Sequence, residues 1–335
     1  MAMSKYLVAG AGGFIGGHLV KSLLDEGHQV VCADIKPIEY WFQYYDESEN
    51  FSFDLKSYDN CLRATRDVEF IYNMACNMGG MGFIENNKAE CMLSVLINTN
   101  LLRSSLKNGV KKYFFSSSAC VYNGSKQEKT FVEGLKEKDA YPAEPEDGYG
   151  WEKLFSERMC RHFKEDFELE TRVARYHNVY GPLGTFDGGR EKAPAALCRK
   201  IIFAKENNIS SIDVWGDGEQ TRSFMYIDDC LAGTKKLFKS DCSKSLNLGS
   251  EEQVSINQMI DIISEIAGHK VKKNYQLNKP KGVRGRSSDN TLIREQINWD
   301  TTYSLKSGLE LTYKWIFDQM KNNPPSNTNK FTISY

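Results

Sequence analysis

Through the first third of the chain, apolar runs rich in β-branched and aromatic residues alternate with stretches of helical spacing. Lys5–Ala9 and residues 29–33, 69–75 and 112–116 read as strands, while 18–26 and 93–108 repeat apolar positions every three to four residues. Such alternation predicts a parallel sheet wound by crossover helices, an α/β fold. Farther on, residues 148–167 predict a long helix, 169–176 a strand and 245–249 a short strand ending in Asn-Leu-Gly. Residues 181–220 are more broken, with one helix beginning near Pro194, a residue suited to a first helical turn. Residues 254–275 and 282–299 read as smaller helices and turns beside the sheet, and 322–335 as a tail.

Composition narrows the partners. A chain of 335 residues, 41% of them hydrophobic, can bury a large core. Lys and Arg total 43 against 44 Asp and Glu, so there is no general attraction to polyanions and no electrostatic signature of nucleic-acid binding. A small-molecule partner is the better expectation. No basic leader precedes the first strand and no apolar run approaches membrane-spanning length, which points to the cytoplasm and away from a membrane. Nine cysteines without CxxC or Cys/His metal spacing suit reduced thiols, with no metal expected.

Gly10-Ala11-Gly12-Gly13-Phe14-Ile15-Gly16 follows the first strand and opens the first helix. Gly10, Gly13 and Gly16 therefore sit where a backbone turns tightly and meets a pyrophosphate, and the amides at the helix start favour its charge. Asp34 lies 18 residues after Gly16, at the end of the next strand, where a carboxylate accepts both ribose hydroxyls. That carboxylate repels a 2′-phosphate, so NAD is expected rather than NADP. Asp54 is a candidate for the adenine end, with a surface role as its alternative.

Tyr149 and Lys153 stand one helical turn apart on one face. An ammonium beside a phenol lowers its pKa, which would fit Tyr149 as a general base on a substrate hydroxyl while Lys153 holds the nicotinamide ribose. The Ser117 and Ser118 hydroxyls, at the end of an apolar strand, would orient the oxygen. With Gly10-x-x-Gly13-x-x-Gly16, the Ser118 strand end and Tyr149-x-x-x-Lys153, the chain resembles the extended short-chain dehydrogenase/reductase family over nearly its whole length. Phe224 to Asp229, preceded by Arg222, and Asn247-Leu248-Gly249-Ser250 are similar to that family's later motifs.

The resemblance implies a Rossmann-type doubly wound parallel sheet with a smaller C-terminal substrate-binding domain. It implies an NAD-binding domain over residues 1–180, with 221–250 returning to it, and a nucleotide-sugar-binding domain from 181–220 and 251–321. Homodimerisation through the 149–167 helix is a further implication. Dehydratases of the family carry an Asp-Glu pair after the equivalent of Ser118; this chain has Ala119-Cys120. A ketone at C4 of a hexose acidifies C3–H and C5–H, and a thiol at Cys120 suits proton exchange there if its pKa is tuned down from about 8.5. Lys192, just before a helix start whose positive end favours the neutral amine, suits the opposite ring face.

Met78-Gly79-Gly80-Met81-Gly82-Phe83, Ser117 to Cys120, Arg190 to Ala196 and Trp215-Gly216-Asp217-Gly218 are similar to a narrower group within the family, epimerases that invert C3 and C5 of a GDP-hexose. From that group Cys120 and Lys192 become the acid/base pair, Tyr149 the C4 proton carrier, Gly80 a backbone contact to the sugar and Asn178 a substrate contact. Arg286 and then Arg222 become diphosphate ligands, since planar guanidinium forks suit phosphate oxygens. Two departures stand out: Cys76-Asn77 where a small residue and an Asp are expected, and Val121-Tyr122-Asn123-Gly124 without the expected proline. Rival readings are a C4-epimerase or 4-keto sugar reductase, with Cys120 a spectator, and a silent NAD-binding regulator. Met78, Met81 and the other eight cysteines read as packing, and His177 as structural.

Overall fold

The computed structural model describes residues 3–279 and 282–322. In chain order, the first part runs β1 (Lys5–Ala9), α1 (Phe14–Asp25), β2 (Gln29–Asp34), β3 (Glu49–Ser52), α2 (Tyr58–Ala64) and β4 (Phe70–Asn73). Then come α3 (Met81–Asn86), α4 (Lys88–Met92), α5 (Val95–Asn108), β5 (Lys112–Ser118), α6 (Tyr149–Phe167), β6 (Glu170–Tyr176) and β7 (Asn178–Tyr180). The remainder is α7 (Ala193–Glu206), β8 (Ser211–Trp215), β9 (Thr221–Tyr226), α8 (Ile227–Lys239), β10 (Leu246–Leu248), β11 (Gln253–Ser255) and α9 (Ile256–Ala267). It closes with β12 (Lys272–Gln276), β13 (Gly285–Arg286), α10 (Thr291–Ile297) and α11 (Leu305–Asn322).

Seven strands form one parallel sheet in the order β10-β6-β5-β4-β1-β2-β3. Its strands are nearly all apolar because helices cover both faces, and two buried clusters lie on either side. Chain direction across the sheet reverses between β1 and β4, so a crevice opens outside their carboxyl ends, where ligands of such sheets bind. β5 and β6 pair over seven residues, from Lys112 opposite Glu170 to Ser118 opposite Tyr176, and that register carries Ser118 to the crevice.

Beside this sheet lie a four-stranded sheet, β11-β9-β13 with β7 on β9, and a two-stranded one, β12-β8. Residues 221–226 thus belong to the second sheet, while α8 and β10 return to the first, so only part of 221–250 rejoins the large sheet as expected. Local signals explain the helix ends here. Pro194 occupies the first turn of α7, Ser255 and Gln258 make a reciprocal cap on α9, and Gly268, at φ 61°, ends it in the left-handed conformation.

Several elements depart from the sequence expectation: β8 stands within 181–220, read as loops and one helix, and β12 and β13 fall in stretches read as helices and turns. β3 is short and polar, without a two-residue rhythm. α11 buries Leu305, Leu309, Thr312, Tyr313 and Ile316 against α7 and α9, so Asn322, expected in the tail, closes a helix. The rest of that tail, 323–335, lies outside the described residues.

Candidate active site

Between β1 and α1 the chain approaches β4 closely. Gly10 has φ +84°, and a Cβ there would lie 2.9 Å from the Ala75 nitrogen; at Gly16 a Cβ would run into the Gly10 carbonyl. Only glycine fits both positions, and the cradle so formed opens onto the first-turn amides of α1. Gly10, Gly13, Phe14, Ile15, Gly16, Asp34 and Asp54 all line one cavity of about 1250 Å³. That exceeds the roughly 300–1,000 Å³ of a single drug-sized site and suits a dinucleotide beside a second ligand.

Asp34 accepts the Lys36 N–H at 2.9 Å, and Lys36 Nζ donates to the Gly12 carbonyl at 2.7 Å. Burial raises the Asp34 carboxyl, with Lys36 and nearby amides pulling the other way. A carboxylate facing the cavity and a cradle that any Cβ would fill are what NAD requires, so the residues present fit that cofactor.

Ser118 and Tyr149 form the inner wall of the same cavity, with Lys192 on another side. Tyr149 is the first residue of α6, reached through Gly148 at φ 77°. Lys153 is fully buried, its Nζ 4.7 Å from the centre of the Phe115 ring, 5.6 Å from that of Tyr149 and 3.7 Å from Glu152 Oε2. Burial pulls its ammonium down, but Cys76 and Glu152 outweigh that and leave it raised. The expected lowering of the phenol is not found. Burial, then Cys76, Cys120 and Glu152, drive Tyr149 well above its ordinary value, while the Lys153 charge is engaged by Glu152 and Cys76. Of the two serines, Ser117 donates to Glu157, itself gripped by Arg175, and only Ser118 stands in hydrogen-bond contact with Tyr149.

Cys120 lies in the 3₁₀ turn after β5, 8% exposed. Arg286 Nη1 donates to its sulfur at 3.3 Å, Arg286 Nη2 reaches Glu146 Oε2 at 3.4 Å, and Arg286 Nε donates to Gln127 at 2.5 Å. Burial and then Glu146 raise the thiol, against Arg286 and Ser118, so the expected downward tuning is not found either. Lys192, half-buried, is the N-cap of α7. Its amine is lowered as expected, but burial is the first cause, opposed by the negative character of Cys120, Cys76 and Glu146.

Cys120, Arg222 and Arg286 adjoin this cavity as a buried cluster rather than forming its wall. Arg222 donates to the Thr221 carbonyl at 2.7 Å, and burial, then Arg286, lower it to about 9. Asn178 donates to the Ser223 carbonyl at 3.3 Å between β7 and β9. The Gly80 N–H donates to the Arg190 carbonyl at 3.1 Å, and a Cβ there would stand 2.8 Å from the Glu191 carbonyl. Arg190 closes the same seam, donating to Asn77 at 3.1 Å and lying 4.0 Å from the centre of the Phe83 ring. His177 also lines the cavity; its Nε2 is 3.2 Å from Asn247 Oδ1, and burial pushes the ring down to about 3.

Sequence reasoning missed two groups. Cys76, read as packing, lines the cavity beside Lys153; the departure at Cys76-Asn77 was its only signal. Glu146, in an ordinary-looking Pro-Glu-Asp turn, gave none. No group of residues suited to a metal occurs among the described residues, nor is any described helix long and apolar enough to cross a membrane.

Residues 6–249 match the model of the NAD dependent epimerase/dehydratase family. The chain belongs to this family. As such it is an NAD-dependent enzyme of the epimerase type, on a Rossmann-type doubly wound sheet. Within the family it is 46% identical over 315 residues to GDP-mannose 3,5-epimerase 1 of Oryza sativa subsp. indica, spanning 94% of this chain and 82% of that protein. GDP-mannose 3,5-epimerase of Arabidopsis thaliana is 44% identical over 318 residues, 95% of this chain and 83% of its own. Among solved structures, UDP-glucose 4-epimerase of Thermotoga maritima with UDP-glucose shares the fold at a TM-score of 0.85 and 24% identity, covering 94% of this chain and 99% of that one. UDP-glucuronic acid 4-epimerase of Bacillus cereus, in complex with UDP-glucuronic acid and NAD, superposes at 0.78 with 25% identity and the same coverage.

Proposed function

We propose that this family member is a GDP-mannose 3,5-epimerase, converting GDP-mannose towards GDP-L-galactose with no net redox change. The observation that carries the reading is that Lys192, Tyr149 and Ser118 line the dinucleotide cavity while Cys120, just beside it, stands within electrostatic reach of both Lys192 and Tyr149, in a chain 46% identical to an enzyme of that name.

NAD, when bound, supplies the acceptor and later the donor of the C4 hydride. Lys153 orients the ribose and, with the positive charge that the oxidised cofactor would bring beside it, would draw Tyr149 from its neutral resting form to the phenolate, which takes the C4 hydroxyl proton beside Ser118 and later returns it. With a ketone at C4, C5–H and then C3–H are acidic, and Cys120 and Lys192 exchange those protons from opposite ring faces. Burial favours thiol and free amine; the thiolate and ammonium each stabilise the other, so proton passage between them keeps the pair neutral. Gly80 and Asn178 bound the sugar, and Arg286 and Arg222 take the diphosphate. In this reading the large sheet and its helices as far as β6, with α8 and β10, hold the cofactor, and the second and third sheets, β7 included, with α7, α9, α10 and α11 hold the nucleotide-sugar.

A C4-epimerase reading is favoured by one observation, the place of Cys120 beside rather than on the cavity wall. Product analysis decides. NMR of GDP-mannose incubated with the purified protein is expected to show epimers at C5 and at C3 plus C5; epimerisation at C4 alone, or conversion only of another nucleotide-sugar, overturns the assignment.

The α4–α6 side of the molecule exposes Met92, Leu93, Leu96, Trp151 and Phe155 together, an apolar patch that supports a homodimer paired through α6. Sedimentation is expected to give a dimer for the native chain and a monomer for Phe155→Glu; a monomeric native chain contradicts it. The nine free cysteines support a reducing compartment, the cytoplasm.

A further inference from the structure

Glu146 precedes α6 on a segment that the fold presses onto the Cys120 turn. Its N–H donates to the Cys120 carbonyl at 3.0 Å, and a Cβ on Gly150, four residues on, would run into that same carbonyl. These contacts hold the backbone from which the carboxylate projects close to the Cys120 turn. One oxygen, Oε2, lies 3.4 Å from Arg286 Nη2, while Arg286 Nη1 donates to the Cys120 sulfur at 3.3 Å. The other, Oε1, is buried with no hydrogen-bond partner among the described residues. A single guanidinium is therefore divided between a carboxylate and a sulfur, and the carboxylate also stands in hydrogen-bond contact with the thiol.

We propose that Glu146 is a positioning residue for the acid/base chemistry: by sharing Arg286 with Cys120 it holds that sulfur as the thiol in the free enzyme and sets the pH at which thiolate forms. The inference rests on reading Cys120 as an acid/base group of the site. Ionisation breaks the S–H bond and passes the proton to solvent, leaving a thiolate whose charge Arg286 must balance. Other charges face the same place. Arg286 on β13, Arg222 on β9 and Lys192 at the start of α7 favour the thiolate, while Glu146 opposes it and Tyr149 on α6 stands near without a charge at neutral pH. Glu146 also faces Cys91 on α4. With a guanidinium in direct contact, a buried sulfur would ordinarily be drawn towards thiolate. Removing the carboxylate alone leaves that guanidinium wholly to the sulfur.

The test alkylates the holoenzyme with iodoacetamide over a pH series, a C–S bond forming as iodide leaves, and quantifies the Cys120 peptide by mass spectrometry. Restricted access of the reagent slows the labelling at every pH alike and leaves its inflection to the thiol's ionisation, which burial and then Glu146 raise. The native protein is expected to inflect above about 8.5. Glu146→Gln is expected to inflect about one unit lower, about tenfold faster labelling at neutral pH, and to carry the acid limb of kcat/KM with it. Glu146→Asp keeps the charge and is expected to stay near the native inflection. A native inflection at or below the ordinary thiol value, or a Gln variant that does not inflect lower, overturns the proposal. Should the Gln variant fail to fold, an Asp variant labelling like a free thiol overturns it equally. Labelling needs no sugar, so this outcome is separate from whether GDP-mannose is converted.

Discussion

The glycine-lined part of the cavity and the thiol–amine cluster beside it are built in opposite ways. Gly10, Gly13, Gly16 and Asp34 come from one strand-helix-strand unit, positioned by local backbone geometry and a single register between β1 and β2. Cys120, Glu146, Lys192 and Arg286 come from four separate stretches, and Arg286 stands 166 residues from the sulfur it touches. The first depends on what no side chain may occupy, the second on how several buried charges share one another. A local unit of the first kind persists through substitutions elsewhere. A network of the second kind gives way at any one member, because a buried charge left without its partner is costly.

Three substitutions sharpen that contrast, in descending effect. Tyr149→Phe removes the group proposed to carry the C4 hydroxyl proton, and conversion is expected to fall by about 10²–10⁴-fold while bound dinucleotide, read by absorbance after denaturation, is unchanged. Asp34→Ala leaves the glycine cradle intact but removes the carboxylate proposed to accept the ribose hydroxyls. NAD affinity is expected to weaken by about 10–100-fold in a fluorescence titration, the range for losing hydrogen bonds to a charged group, with NADP now binding comparably. Gly80→Ala sets a methyl 2.8 Å from the Glu191 carbonyl and wedges the Met78 to Phe83 stretch away from the Lys192 loop. Stability is expected to drop by about 1–3 kcal/mol in denaturant titration, with kcat lowered and NAD affinity unchanged. If Gly80→Ala instead released the dinucleotide, the two parts would not be separable.

The same contrast explains what could be read in the linear sequence. The β1–α1–β2 unit, the α6 helix and the β5 end were legible because each is local, and Asp34 and the glycines follow from turn geometry alone. Cys120 and Lys192 stood out only through resemblance to a group of epimerases, and the ionisation of Cys120 did not follow. A thiol beside Arg286 suggests a lowered pKa until its burial is counted and Glu146, on another segment, is seen to claim the same guanidinium. Tyr149 repeats the lesson: a lysine four residues on predicts an acidified phenol, but Glu152 and Cys76 engage that lysine and burial prevails. α11 escaped notice because its apolar residues are interspersed with Lys and Glu, and only packing on α7 and α9 gives its buried face a partner.

The central claim, that a sulfur and an amine invert a transiently oxidised ring from its two sides, is tested most directly by isotope exchange. Holoenzyme is incubated with GDP-mannose in deuterated water, and C3 and C5 are followed by NMR in the native protein, Cys120→Ala and Lys192→Ala. Deuterium at both carbons in the native protein, none in Cys120→Ala and impaired exchange in Lys192→Ala is the predicted result. Native-like labelling in Cys120→Ala, or turnover of GDP-mannose with neither carbon labelled, would contradict the account.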